Sequence, residues 1–204
     1  MKKIAPEELS DNPIRLIGRD WMLVTAGQMG DFNTMTASWG GVGHLWNVPV
    51  AFVFVRPERY TYGFMEREEG FTLSFFDGQY RNALSLLGTK SGRDGDKVAE
   101  SGLTPVPVPG GGVTFAQARV VLECQKLYVS DLQAGKFLDP AILPRFYDAQ
   151  HGGLHRVYIA RITAAYLAEA LEAKGITVDR KSISLDAVKT IGAYEASVKI
   201  YKGI

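Results

Sequence analysis

The chain has 204 residues, 46% of them hydrophobic and 22% charged, with a formal net charge of +1. That length fits one domain with one sizeable core, and the near-neutral charge balance excludes the broad basic footprint that nucleic acid requires. No apolar run is long enough to span a bilayer, Met1-Lys2-Lys3-Ile4 lacks the apolar segment of a secretory signal, and one cysteine, Cys124, makes no internal disulfide, so a cytoplasmic address away from any membrane is expected.

Trp21 to Ala26 reads as an apolar strand ending at Gly27. The next segment, Asn33-Thr34-Met35-Thr36-Ala37-Ser38-Trp39 closed by Gly40-Gly41, has small hydroxyl-bearing residues where a strand is ordinarily greasy. Such residues let another group approach the backbone and offer hydrogen bonds, which suits a flat ligand with a polar rim. The competing reading is an edge strand with Thr and Ser facing water. Val48 to Val55 is nearly continuous Val, Ala and Phe and is expected to be buried on both faces. Tyr60 to Arg67 predicts a short helix after Pro57-Glu58. Phe71 to Phe76 alternates, with Phe71, Leu73 and Phe75 opposite Thr72, Ser74 and Phe76.

Further helices are predicted over Tyr80 to Leu87, stopping at Gly88, and over Asp96 to Ser101, stopping at Gly102. Pro105, Pro107, Pro109 and Gly110 to Gly112 read as a connector rather than a strand. Ala118 to Tyr128 alternates, with Val120, Leu122 and Cys124 on one face. His155 to Tyr166 is the last long strand, setting Val157 and Ile159 opposite Tyr158, Ala160 and Ile162. In the tail, Ala164 to Lys174 and Ser184 to Ala193 are expected to be helical and Ala196 to Tyr201 a short strand. Many short strands and few helices suggest a mainly β barrel with helical insertions.

Four polar clusters sit at strand ends: Asn33 to Trp39, Arg56-Pro57-Glu58-Arg59-Tyr60-Thr61-Tyr62, Ser74-Phe75-Phe76-Asp77 and Thr89 to Lys97. In order and spacing they resemble the flavin reductase-like family of FMN-binding split barrels, and within it the flavoredoxin type. The resemblance covers roughly residues 15 to 165. It implies a six-stranded Greek-key split barrel, here over residues 1–165; the helical pattern of the tail makes 166–204 a C-terminal helical extension of the same domain. The resemblance also implies a homodimer with FMN near the interface. The activity it implies is hydride transfer from NAD(P)H to flavin N5 and onward to free flavin, ferric iron or a redox partner protein.

For the site, the resemblance assigns Asn33, Thr34, Met35, Thr36, Ala37, Ser38 and Trp39 to the isoalloxazine rim. A terminal phosphate needs cationic, amide and hydroxyl donors, for which Arg56, Arg59, Thr61, Ser91 and Lys97 are the candidates, with Lys90 beside them. Tyr60, Ser74, Phe75 and Phe76 complete the expected cofactor set. His155 matches the family's histidine on the nicotinamide side of the flavin, but Gly153 stands where an Asp is usual and Ala160-Arg161 where Gly-Glu is usual. That departure motivates an alternative, an FMN electron carrier that oxidises NAD(P)H poorly. A third reading is a cofactor-free binding barrel, suggested by the extension Gly175 to Ile204. Arg93 is expected to pair with Asp94 or Asp96, Cys124 to be an inert core thiol, and the three histidines with one cysteine not to form a metal site. No Gly-rich dinucleotide turn occurs, so a nicotinamide would bind on the flavin itself.

Overall fold

The computed structural model describes residues 1–149, 152–168, 183–184 and 197–198. In chain order the strands are β1 (Lys2–Ile4), β2 (Met22–Gln28), β3 (Asp31–Ala37), β4 (Gly40–Leu45), β5 (Val48–Val55), β6 (Gly70–Phe75), β7 (Pro105–Pro107), β8 (Val113–Phe115), β9 (Val120–Asp131), β10 (Arg156–Leu167), β11 (Ile183–Ser184) and β12 (Ser197–Val198). The helices are α1 (Pro13–Arg15), α2 (Tyr60–Arg67), α3 (Arg81–Thr89), α4 (Lys97–Ser101) and α5 (Ile142–Phe146). The chain divides into one compact unit over Met1–Leu167 and another over Ala168–Ile204.

In the first unit an antiparallel sheet runs β3-β2-β6-β9-β10-β5-β4, with β1 pairing onto β10. This is the mainly β split-barrel architecture, and the sheet reaches eight strands because short β1 and β4 join the longer six. The period-2 pattern sorts side chains as the sequence demands. Met22 and Val24 of β2, Phe71, Leu73 and Phe75 of β6, Val120, Leu122 and Cys124 of β9, and Tyr158, Ala160 and Ile162 of β10 all enter the main core. The opposite face packs Leu23 and Val121 against Leu84 and Leu87 of α3 and Phe115 of β8. Helix α4 starts where the Asp96 carboxylate accepts from the Val98 and Ala99 amides and stops at left-handed Gly102.

Several expectations need correction. Phe52 and Phe54 of β5 are half-buried while Ala51, Val53 and Val55 are in the core, so this strand is sealed on one face of the chain only. The proline connector contains a strand: β7 pairs with β8, which the prolines tolerate because β7 has only one strand neighbour. Helix α3 runs past Gly88 to Thr89. Ala164 to Leu167 is strand, not helix, because β10 continues pairing with β9 and β1 as far as Leu167. Residues 169–174 of that predicted helix and residues 185–193 of the next lie outside the described residues. In the second unit β11 pairs with β12, placing a strand at Ser184 and another inside the predicted Ala196 to Tyr201 segment. No helix among the described residues is long and apolar enough to cross a membrane.

The β2–β3 hairpin depends on Gly27. Its φ is +112°, and a Cβ there would lie 2.3 Å from the Asp31 carbonyl oxygen and 2.5 Å from Phe32 Cα, both backbone atoms. Neither can be moved without opening the hairpin. Gly27→Ala is therefore expected to cost about 2 kcal/mol or more, read as a lowered midpoint in urea unfolding with an unchanged slope.

Candidate functional site

Strand β3 is an edge strand whose two faces are covered. Among the described residues it pairs with β2 alone, so alternate amides and carbonyls along its other side have no strand partner there. Its polar side chains turn inward. Thr34 Oγ1 meets Thr25 Oγ1 at 2.8 Å in a fully buried contact. Asn33 Nδ2 donates to Thr61 Oγ1 of α2 at 2.7 Å, and the Thr36 hydroxyl donates to the Leu84 carbonyl of α3. Met35 packs in the main core. The hydroxyls that looked available for a ligand are largely spent holding α2 and α3 to the strand.

A cleft of about 180 Å³ opens beside the C-terminal half of β3. Its lining comprises Met35 to Trp39, Phe54, Arg56, Arg59 and His155. Two larger cavities, of about 750 Å³ and 290 Å³, lie among other residues of the unit and share none of these. The cleft is set apart by its chemistry: an uncapped strand edge, two guanidinium groups and a histidine.

Arg59 lines one end of the cleft; Lys97, which does not line it, is bonded to the same end of α3. Arg59 Nη2 donates to the Gly88 carbonyl at 2.9 Å, and Lys97 Nζ donates to the carbonyls of Leu87 and Lys90 at 3.1 Å each. Both cations thus gather at the C-terminal turn of α3, where the helix dipole is negative. Lys97 is only 3% exposed. Burial, with a smaller push from the Arg59 charge, brings its ammonium down to about 8. Among the described residues neither cation pairs with a carboxylate.

At the other end the His155 ring lies 5.3 Å from Trp39 and 6.4 Å from Phe54, centre to centre. Its Nδ1 shares a 2.9 Å hydrogen bond with the Tyr147 hydroxyl. Burial, and then the Arg56 charge, lowers His155 to about 4, against an opposing pull from Glu58. His155 is therefore neutral at physiological pH. Glu58 Oε1 accepts from the Gly153 amide at 2.7 Å, which holds its own carboxyl below the usual range.

The remaining expected residues fall elsewhere. Ser74 Oγ meets Thr114 Oγ1 at 2.8 Å under β8, Phe75 is in the main core, and Phe76 packs with Tyr80 and Phe115. None of the three lines the cleft: Ser74 and Phe76 lie on the β8 side of the sheet and Phe75 on the other. Lys90 pairs with Glu100, and Ser91 Oγ accepts from the Arg93 amide within its own turn. Thr61 is buried against Asn33. Tyr60 packs edge-on against Phe64 and lies under the Arg93 guanidinium. Arg93 also donates to the Glu58 carbonyl rather than pairing with Asp94 or Asp96. Cys124 is buried and its thiol is pushed up by burial, as an inert core residue requires. Sequence reasoning missed Phe54, Glu58, Phe146 and Tyr147. Glu58 lay within a string already singled out, whereas no local pattern marks Tyr147, whose contact with His155 exists only once the β9–β10 connection folds back.

The fold and cleft define a class: an antiparallel split barrel with a small opening lined by an edge strand, two arginines and a histidine. The flavin reductase-like domain model matches residues 14–183, and the chain belongs to that family. Its structure is similar to flavoredoxin of Desulfovibrio vulgaris (Miyazaki F), with a TM-score of 0.58 at 19% identity over 100% of this chain and 97% of that one. It is also similar to the FMN-binding protein from Thermus thermophilus bound to cyclohexenone, with a TM-score of 0.57 at 20% identity over 89% and 82% of the two chains. An FMN-binding domain of a flavin reductase-like enzyme from Shewanella baltica OS155 gives 0.57 at 19% over 94% and 93%. Among curated proteins the chain matches the large ribosomal subunit protein bL9 of Anaeromyxobacter sp. (strain K), 46% identical over 44 residues or 21% of this chain. The chain spans about 30% of the length of the curated relatives it matches.

The lowered His155 value has a sign that can be checked. Between about 4 and the ordinary 6.5 the folded protein binds fewer protons at this ring than the unfolded chain does. Acidification through that window therefore favours unfolding. Relative to His155→Gln, the wild type is expected to lose stability as pH falls from 6.5 to 4, with a proton NMR midpoint for His155 near 4. A midpoint near 6.5 would contradict the buried, neutral ring.

Proposed function

We propose that this protein is an FMN-binding flavoprotein oxidoreductase, a cytoplasmic homodimer that draws hydride from NAD(P)H and delivers the electrons to a further acceptor. The carrying observation is the cation pair Arg59 and Lys97, bonded to carbonyls and lacking a carboxylate among the described residues. Holding charge in a desolvated place is costly without a counter-ion. A terminal phosphate supplies that counter-ion and satisfies the remaining N–H donors.

The rest of the cleft fits the same group. The open side of β3 offers main-chain donors and acceptors to a heteroaromatic rim, and small Ala37 and Ser38 let a ring come close. Amides aimed at that rim favour negative charge there. When bound, FMN supplies reversible hydride and electron acceptance. The protein's part is to fix the ring against β3 and to present His155 as a neutral hydrogen-bonding group beside it.

A second reading, a flavoredoxin-like carrier reduced by a partner protein, is favoured by the His155–Tyr147 bond. A tyrosine hydroxyl orients the imidazole but gives it no negative neighbour of the kind an Asp at position 153 would.

The homodimer is supported by the outer face of β4, β5, β10 and β9. Trp46 is 57% exposed and stacks edge-on against exposed Tyr128, while Phe52 and Phe54 lie half-buried between them and Trp39. An apolar sheet face of this kind matches an interface better than a solvated surface. Phe52→Asp is expected to convert a sedimenting dimer to monomer; a wild-type protein that sediments as monomer removes this part of the proposal.

The central experiment is an FMN titration followed by anaerobic addition of NADH or NADPH. About one FMN per chain is expected, with Arg59→Gln and Lys97→Met each weakening it tenfold or more, as the loss of a charge-assisted bond of about 1.5–3 kcal/mol requires. Bleaching of the bound flavin by nicotinamide supports the reductase. Bleaching by dithionite alone selects the carrier. Protein that stays colourless in excess FMN eliminates both.

A further inference from the structure

The string Arg56-Pro57-Glu58-Arg59 contains two arginines that point to different work. Arg59 goes to the end of α3, as described above. Arg56 goes the other way: its Nη2 donates to the Phe146 carbonyl at 2.9 Å and its Nη1 to the Gly153 carbonyl at 3.3 Å. Its guanidinium carbon also sits 5.2 Å from the centre of the Tyr147 ring. Two residues along, Glu58 accepts from the amide of that same Gly153. One short segment therefore grips the β9–β10 connection through both polar groups of a single peptide residue and through a second carbonyl six or more residues away.

What is gripped forms a wall of the cleft. Phe146 meets the Trp39 ring edge-on at 5.4 Å, Tyr147 bonds His155, and Trp39 and His155 both line the opening. A guanidinium is suited to this bridge because its fixed fork reaches two acceptors at once, whereas an ammonium is a point donor.

We infer that Arg56 is a positioning residue: together with Glu58 it fastens Phe146, Tyr147 and Gly153 against Trp39 and so sets the place of His155, while the phosphate end of the site is left to Arg59 and Lys97. This reassigns a residue that its sequence neighbourhood gives to the phosphate. It rests on the FMN reading only for the identity of the ligand; the fastening itself exists without one. The wall is aromatic, and Arg56 and Glu58 act in opposite senses on His155. A second ligand entering past it therefore meets stacking surfaces, one imidazole and the Arg56 guanidinium.

The test uses the full chain in two independent arms. Without FMN, Arg56→Gln is expected to accelerate trypsin cleavage after exposed Arg145 at least tenfold and to raise the His155 NMR midpoint from about 4 toward its ordinary value. Glu58→Gln, which loosens the other tie, is expected to accelerate the same cleavage. Arg56→Lys should fail to restore the wild-type rate. With FMN, Arg56→Gln should weaken binding less than Arg59→Gln does, and Arg56→Lys should not repair the loss. Unchanged cleavage and an unchanged His155 midpoint in folded Arg56→Gln protein would overturn the inference. So would a tenfold loss of FMN affinity that Arg56→Lys repairs, since that is the behaviour of a phosphate ligand. Failure of wild-type protein to bind FMN would remove the functional proposal and leave the first arm to decide this one.

Discussion

The organisation of the molecule follows from β3 being a strand with one partner. An unpaired strand edge is ordinarily a hazard, because its amides and carbonyls template further pairing. Here the strand cannot be paired away, yet it cannot wander either. Thr34 ties it to β2, Asn33 to α2 and Thr36 to α3. Both faces are thereby fixed and the edge is left presented. The threonines and asparagine build the frame, and the main chain they immobilise is what a rim-shaped ligand can address.

The same economy appears in the turn after β5. The Arg59 amide donates to the Arg56 carbonyl at 3.1 Å, closing a tight turn before α2 begins at Tyr60. Residues three apart across such a turn project in divergent directions. That geometry lets one string serve both ends of the cleft, Arg59 toward α3 and Arg56 toward the β9–β10 connection. An inserted residue between them would rotate one guanidinium away from its carbonyls and disconnect either the α3 end or the aromatic wall.

The strands were legible because period-2 alternation is a local property. Phe71, Leu73 and Phe75 declare one face of β6 whatever surrounds them, as do Val120, Leu122 and Cys124 in β9. Helix α2 was legible to its end residues, and α4 by its stop at Gly102. The same alternation, followed one step further, already sends Ser74 and Phe76 to the β8 side of the sheet and Phe75 into the core. Adjacency in sequence to a strand end was a weaker guide than the face on which each side chain lies. Long-range partners were not legible. Nothing local says that Lys97 will reach the Leu87 carbonyl, that Lys90 will choose Glu100, or that Tyr147 will meet His155. The β7–β8 pairing was hidden for a related reason: proline argues against a strand in general, and only the sheet's layout shows that β7 needs no second partner.

The charges of the cleft are arranged asymmetrically, and that asymmetry has a directional consequence. Arg56 lies close enough to Glu58 for the two charges to offset each other, and burial leaves His155 uncharged. Arg59 and Lys97 have no such compensation among the described residues: burial lowers both, with a further push on Arg59 from the Arg56 charge and on Lys97 from the Arg59 charge. One end of the opening is therefore aromatic, with Arg56 partly offset by Glu58, and the other cationic and desolvated. A ligand with a neutral ring system and an anionic tail has one low-energy orientation in such a field, and the reverse orientation would set its charge against aromatic rings while leaving two cations unmatched. Orientation is thus fixed by the field before any hydrogen bond to β3 is made, and the backbone edge then has only to register the ring along the strand.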